Sequence, residues 1–376
     1  MRAFLIFCLL TLMPSVQAQT FQTSASHAVI LDYESGEVLY NHNGDTPMPP
    51  SSMSKLMTLL MTFEAIEQGT LSLDTELPVS EYAWRTGGAA SGSSTMFLEV
   101  NSRVRVEDLI RSIIIQSGND ACIVLAEAIS GSETAFAADM TQRAQELGLS
   151  SASFANSTGW PHPDHRISAI DLARLTVLLI REYPQYYPIF AEREMTYNGI
   201  RQFNRNPLLN MPGVDGLKTG HTQEAGYGLV ASGERDGTRR IVVYNGMDSE
   251  RSRASEGERL MRAALAEFEL VRLAQAGEEI GSADVFQGVS ETVGLRLTEN
   301  AQLGLHIRAA NDLRAEIVYD GPIAAPIAEG DAIARLEVSA PGLEPRSFEL
   351  VAAEDVARKG LVGLALSGLG GLFGVN

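Results

Sequence analysis

Lysine is nearly missing from this chain. Of its 29 basic residues only Lys55, Lys218 and Lys359 are lysines, and the rest are arginine. Arginine keeps its proton in any protein environment, so most of the positive charge is excluded from proton-transfer chemistry. Lysine can release its proton when burial or a neighbouring cation lowers its pKa from about 10.4 toward neutrality. Two of the three lysines stand in short polar stretches, Ser52-Met53-Ser54-Lys55 and Lys218-Thr219-Gly220. A chain that avoids lysine yet places one three residues after a serine needs the amine itself. The composition points to a serine activated by a neutral amine.

Cysteine is equally scarce. Cys8 and Cys122 are the only two, and Cys8 lies in a stretch with the marks of a secretory signal. Arg2 is its basic start, Ala3 to Met13 its apolar run, and Val16-Gln17-Ala18 its small-x-small cleavage pattern. That run is too short to span a bilayer. An exported chain left with Cys122 alone has no disulfide, so its stability must come from a sizeable core. The formal charge is −18, and removing residues 1–18, whose one charge is Arg2, makes it one unit more negative. So acidic a body repels nucleic acid and anionic lipid, and no basic patch reverses this. The six histidines lack His-Glu-x-x-His spacing, and His162 and His165 sit in a Pro-rich loop, so no metal or cofactor is implied.

A length of 376 residues predicts two folded units plus tails. A hairpin is expected over residues 28–40, its turn at Glu34-Ser35-Gly36. Pro47, Pro49 and Pro50 break the chain just before Ser52, and residues 53–66 are apolar on nearly every face, the pattern of a buried helix. Lys55 then lies over the same face as Ser52. Further helices are expected over 106–115, 121–129, 133–147, 169–181 and 254–274, with a second hairpin around Glu234-Arg235-Asp236-Gly237. Strands at both ends of a helical middle indicate an α+β domain with an antiparallel sheet flanked by helices.

After about residue 280 the period changes to two: Val293, Leu295, Leu297; Leu303, Leu305, Ile307; Ala334, Leu336, Val338. The expected layout is a signal over 1–18, a catalytic domain over 19–278, a small all-β domain over 279–353 and an amphipathic tail over 354–376. The tail has no charge from Gly360 to Val375, and Val362, Leu366, Leu369 and Phe373 fall on one helical face. It is short for a span, and an interfacial helix at a membrane surface fits better.

Three motifs occur in order: Ser52-x-x-Lys55, Ser117-Gly118-Asn119 and Lys218-Thr219-Gly220. Each alone arises by chance; the ordered set is specific. Lys55 is the base for Ser52 once its amine is neutral, and Lys218 nearby would help keep it so. Ser117 can relay a proton to the leaving amine, and Asn119 can hold Lys55 and a substrate amide. Backbone N–H groups of Ser52 and His221 are candidates for an oxyanion hole.

On these motifs the chain resembles the low-molecular-weight penicillin-binding proteins that are D-alanyl-D-alanine carboxypeptidases, of the serine β-lactamase/transpeptidase-like superfamily. The resemblance runs through Pro50 to Lys55, Ile115 to Ala121, Phe203 to Asn206 and Val214 to Thr222, and takes in the β module and the tail. It implies an acyl-enzyme on Ser52, with Lys55, Ser117 and Asn119 catalytic. Lys218, Thr219, Gly220 and His221 would bind substrate. Arg253, before Arg251, and Arg205 are candidates for meeting the terminal carboxylate. It implies peptidoglycan peptide stems as substrate, β-lactams as covalent inhibitors, and a periplasmic location at the outer face of the cytoplasmic membrane. Where the family often has a histidine, this chain reads Asn156-Ser157-Thr158-Gly159.

A β-lactamase or a D,D-endopeptidase would use the same motifs. The Glu194-x-x-x-Asn198 spacing that a deacylating glutamate would need lies in an alternating, strand-like stretch shortly before Lys218, and reads as structural. A non-catalytic wall or membrane scaffold would have no need of Ser52 or Lys55.

Overall fold

The computed structural model describes residues 21–341 and 343–360. The expected signal, and the tail positions from Val362 to Phe373, lie outside the described residues. A five-stranded antiparallel sheet organises the first unit, in the order Val38–His42, His27–Asp32, Thr238–Met247, Gly226–Arg235, Val214–Thr222. The first predicted hairpin forms one end of the sheet, the second lies in its interior, and Val214–Thr222 is the other edge. His27–Asp32 is apolar at nearly every position because both faces are covered. Val29, Leu31, Val230, Ile241 and Val243 join the large helical core, while Ala28, Ile30, Leu229, Val242 and Tyr244 pack on the last helix.

The helices of this unit are α1 (Lys55–Glu67), α2 (Glu81–Gly87), α3 (Val106–Ile115), α4 (Asn119–Ser130), α5 (Glu133–Glu146), α6 (Ala169–Glu182) and α7 (Glu250–Ala266). In α1 the side chains from Lys55 to Phe63 are all buried. Each fully buried Leu or Met there contributes about 1.5–3 kcal/mol of apolar transfer, so the helix is fixed by its surroundings on every side. Its start differs from expectation: Ser52 sits in a 3-10 turn, Ser51–Ser54, and the α-helix begins at Lys55.

The expected helix over 254–274 is corrected. It starts earlier, where Ser249 and Ser252 form a capping box, and ends at Ala266; Phe268–Ala274 is a strand paired antiparallel with Ala301–His306. The expected boundary at 278 therefore cuts through a pair of strands whose Val271 and Leu273 pack on the C-terminal core. Ile307 is also not part of the alternation. It opens a short helix, Ile307–Ala310, and is exposed.

The C-terminal unit has its own core of Val293, Leu295, Leu297, Leu303, Leu336, Val338, Phe348 and Leu350. Its six-stranded sheet runs Arg314–Val318, Ala332–Ser339, Arg346–Ala352, Thr292–Leu297, Glu279–Phe286, Ile323–Ala324. The boundary expected at 354 also moves: Val356 is buried in that core and bridges Ile327, and Arg358 bridges Gly288. Among the described residues no single helix is long and apolar enough to cross a membrane.

Candidate active site

Three structural edges deliver the polar groups. Ser52 and Lys55 come from the turn and first residue of α1, Ser117 and Asn119 from the break between α3 and α4, and Lys218 to His221 from the edge strand Val214–Thr222. Asn245 holds this corner by donating to the Pro49 carbonyl at 3.0 Å. Two serines here adopt left-handed backbone, Ser51 at φ +52° and Ser117 at φ +72°. Such residues cost about 1–3 kcal/mol each and persist only where the surroundings over-determine them. Gly220 is required by close approach: a Cβ there would lie 2.9 Å from the Pro50 carbonyl oxygen and 3.2 Å from Ser51 Cβ.

Lys55 Nζ lies 2.9 Å from Ser52 Oγ and 2.7 Å from Asn119 Oδ1, and it also donates to the Thr158 carbonyl. Lys55 is fully buried whereas Ser52 is partly open. Burial, first of all, lowers the Lys55 pKa to about 8, and the Arg205 charge adds to it. The supporting cation is thus Arg205, where the sequence pointed to Lys218. Lys218 is itself buried and pushed well below its ordinary value by desolvation, with Lys55, Arg205 and Arg253 adding repulsion. Its Nζ donates to the Thr219 carbonyl at 3.2 Å.

Ser117 Oγ is buried and has no hydrogen-bond partner among the described residues, so it is not bonded to either lysine. Asn119 uses its amide on Ser93 Oγ at 2.9 Å, in addition to holding Lys55. His221 is exposed and stacks on Tyr227 with ring centroids 3.8 Å apart; Arg253 lies over the Tyr227 ring at 5.6 Å. Arg253 is buried, its Nε has no hydrogen-bond partner among the described residues, and Arg251 on the same helix is exposed. Arg205 reaches Ser94 Oγ at 2.6 Å. Beside His221 and Thr222 a groove of about 560 Å³ opens, lined also by Gln223, Glu224, Tyr227 and Asp248. Glu194 lies in the hairpin Glu194–Tyr197/Ile200–Phe203 and pairs with Arg201. Among the described residues no group of three His, Cys, Asp or Glu side chains is placed to hold a metal.

Sequence reasoning marked the loop Asn156 to Gly159 by its lack of a histidine and missed that it stands behind Lys55. Asn156 Oδ1 accepts the backbone N–H groups of Thr158, Gly159 and Trp160, and Gly159 packs where a Cβ would strike the Ser51 carbonyl. The signal available was Asn followed by Gly three residues on, a side-chain-closed turn.

A buried lysine against a partly open serine, inside an α+β unit with an all-β companion, is the architecture of the penicillin-binding serine hydrolases, and the comparisons agree. Residues 14–249 match the D-alanyl-D-alanine carboxypeptidase family, and residues 268–358 match the C-terminal domain of penicillin-binding protein 5. The chain is 34% identical to the D-alanyl-D-alanine carboxypeptidase DacA of Haemophilus influenzae, over 93% of this chain and 88% of that one. It superposes on the crystal structure of the D-alanyl-D-alanine carboxypeptidase DacD from Francisella tularensis with a TM-score of 0.79 and 29% identity, covering 90% and 95% of the two chains. Penicillin-binding protein D2 of Listeria monocytogenes in its ampicillin-bound form matches at TM-score 0.56 and 30% identity, over 65% of this chain and 98% of that one. The chain belongs to the D-alanyl-D-alanine carboxypeptidase family and is a serine hydrolase of that type.

Proposed function

We propose that Ser52 attacks the carbonyl of the penultimate D-alanine in a peptidoglycan pentapeptide, with Lys55 as the general base. The bond from Ser52 Oγ to the carbonyl carbon forms as the C–N bond to the terminal D-alanine breaks. The proton taken by Lys55 goes to the departing amine, with the unpartnered Ser117 hydroxyl as the relay. Water then hydrolyses the ester, and the same amine serves as base. The carrying observation is the 2.9 Å approach of the Lys55 amine, lowered to about 8 by burial, to Ser52 Oγ.

In this reading Arg253 and Arg205, with Thr219, meet the terminal carboxylate; Lys218, Gly220 and His221 complete the binding edge. The N–H groups of Ser52 and His221 stabilise the oxyanion. The substrate peptide adds alongside the edge strand, and the groove past Thr222 takes its upstream residues. β-Lactams acylate Ser52 because they present a strained amide with a carboxylate to the same groups; the ampicillin-bound Listeria relative supports this. Export through residues 1–18 and attachment of the tail to the outer face of the cytoplasmic membrane complete the proposal. Intact-mass analysis after penicillin tests it: a long-lived adduct on Ser52 is expected, a transient one would indicate a β-lactamase and none a scaffold.

A further inference from the structure

A buried carboxylate outside the three motifs stands behind the base. Glu133 is the first residue of α5 and is 7% exposed. Its Oε1 accepts from Ser157 N at 3.1 Å and Ser157 Oγ at 2.7 Å, and its Oε2 accepts from the Tyr82 hydroxyl at 2.9 Å. The following peptide unit is held from α1, where Thr58 Oγ1 donates to the Ser157 carbonyl at 2.7 Å. The next carbonyl along, that of Thr158, accepts from Lys55 Nζ.

We propose that Glu133 is a positioning residue for the general base: it anchors Ser157 through its N–H and hydroxyl, so that the adjoining Thr158 carbonyl is held where it orients the Lys55 amine toward Ser52. A neutral amine has two N–H donors and one lone pair. With the Thr158 carbonyl and Asn119 Oδ1 taking the two donors, the lone pair is left facing the Ser52 hydroxyl. An unfixed Thr158 carbonyl leaves the amine free to rotate and present an N–H instead. This also accounts for the loop working without a histidine at its turn: the contribution is a main-chain carbonyl, indifferent to the side chain at 158.

The Glu133 charge has a second effect. It lies within Coulombic range of Lys55 and favours the ammonium, as does Asp120, against Arg205, which disfavours it. The other ionisable groups around the amine are Cys122, a thiol held neutral by burial, His165, neutral with its pKa lowered to about 3, and Lys218. Glu133→Gln keeps an acceptor oxygen for Ser157 and a donor for the Tyr82 oxygen while deleting the charge; Glu133→Ala deletes both hold and charge.

The inference rests on the acyl-enzyme reading, and acylation of the full chain by a chromogenic cephalosporin tests it across pH. Glu133→Ala is expected to acylate roughly 10- to 100-fold more slowly than wild type on the high-pH plateau, the scale of a slightly misplaced catalytic group. Glu133→Gln is expected to recover most of that rate, with the rising limb of its pH profile moved to lower pH. Thermal melts of both variants check that each is folded. A folded Glu133→Ala that matches wild type overturns the inference alone, as do equal losses in the two variants or a Gln limb that does not move. A wild-type chain that forms no adduct overturns both it and the acyl-enzyme reading.

Discussion

Lys55 Nζ and Ser52 Oγ lie 2.9 Å apart across the junction of a 3-10 turn and α1, with the lysine sealed from solvent and the serine partly open to it. That asymmetry sets the chemistry. Burial penalises the ammonium, and the substrate needs to reach only the oxygen. With a pKa of about 8, roughly one amine in ten is neutral at pH 7, against about one in 2,500 for an ordinary lysine.

The acylation rate is therefore expected to rise with pH. The neutral amine is the active form, so kcat/KM should climb through a midpoint near 8 and flatten above it. Stopped-flow acylation between pH 5 and 10 checks this. A flat profile across that range would mean that the amine is not the proton acceptor.

Replacing the nucleophile should separate chemistry from binding. Ser52→Ala is expected to abolish both the penicillin adduct and D-alanine release from a pentapeptide, with an unchanged melting temperature because, among the described residues, Ser52 Oγ is bonded only to Lys55. Mass spectrometry and product assay of the same preparation decide it. Lys55→Arg should lose more than roughly 100-fold in acylation, since guanidinium cannot act as a base at any usable pH. Turnover near wild type by that variant would remove Lys55 from its role.

How much of this was legible in the sequence follows from which contacts are local. Ser52 and Lys55 are one helical turn apart, so their meeting was readable from spacing alone. The hairpins and α3 to α6 were also readable, because each carries its own period and punctuation. The strand Phe268–Ala274 was not. Leu260, Ala264, Phe268 and Val271 continue a helical spacing, and the segment becomes a strand only through pairing with Ala301–His306, which no local pattern announces. The contacts of Lys55 with the Thr158 carbonyl and of Glu133 with Ser157 were hidden for the same reason. They join segments far apart in the chain, and one partner in each is main chain.

Arg253 is expected to matter through the substrate's charge. Its guanidinium is buried at the start of α7 with Nε unpartnered, which leaves it free to meet an incoming carboxylate. A charged hydrogen bond of this kind contributes about 1.5–3 kcal/mol, so Arg253→Gln should lower kcat/KM on the pentapeptide roughly 10- to 100-fold. On a C-terminally amidated peptide wild type and variant should be equally poor. A variant that loses the same factor on both peptides would assign Arg253 a structural role only.

The tail is best tested by a cut placed to spare the fold. A chain ending at Glu354 would lose Val356 from the β core, along with its bridge to Ile327 and that of Arg358 to Gly288. Losing that buried valine costs about 1.5–3 kcal/mol in transfer alone, enough to destabilise a small module and confuse any localisation result. A chain ending at Gly360 removes the uncharged segment with Val362, Leu366, Leu369 and Phe373 and leaves those contacts intact. It should melt like the full chain, keep full acylation by penicillin, and move from the membrane pellet to the supernatant on fractionation. Unchanged sedimentation of a folded, active truncation would place the membrane contact elsewhere on the molecule.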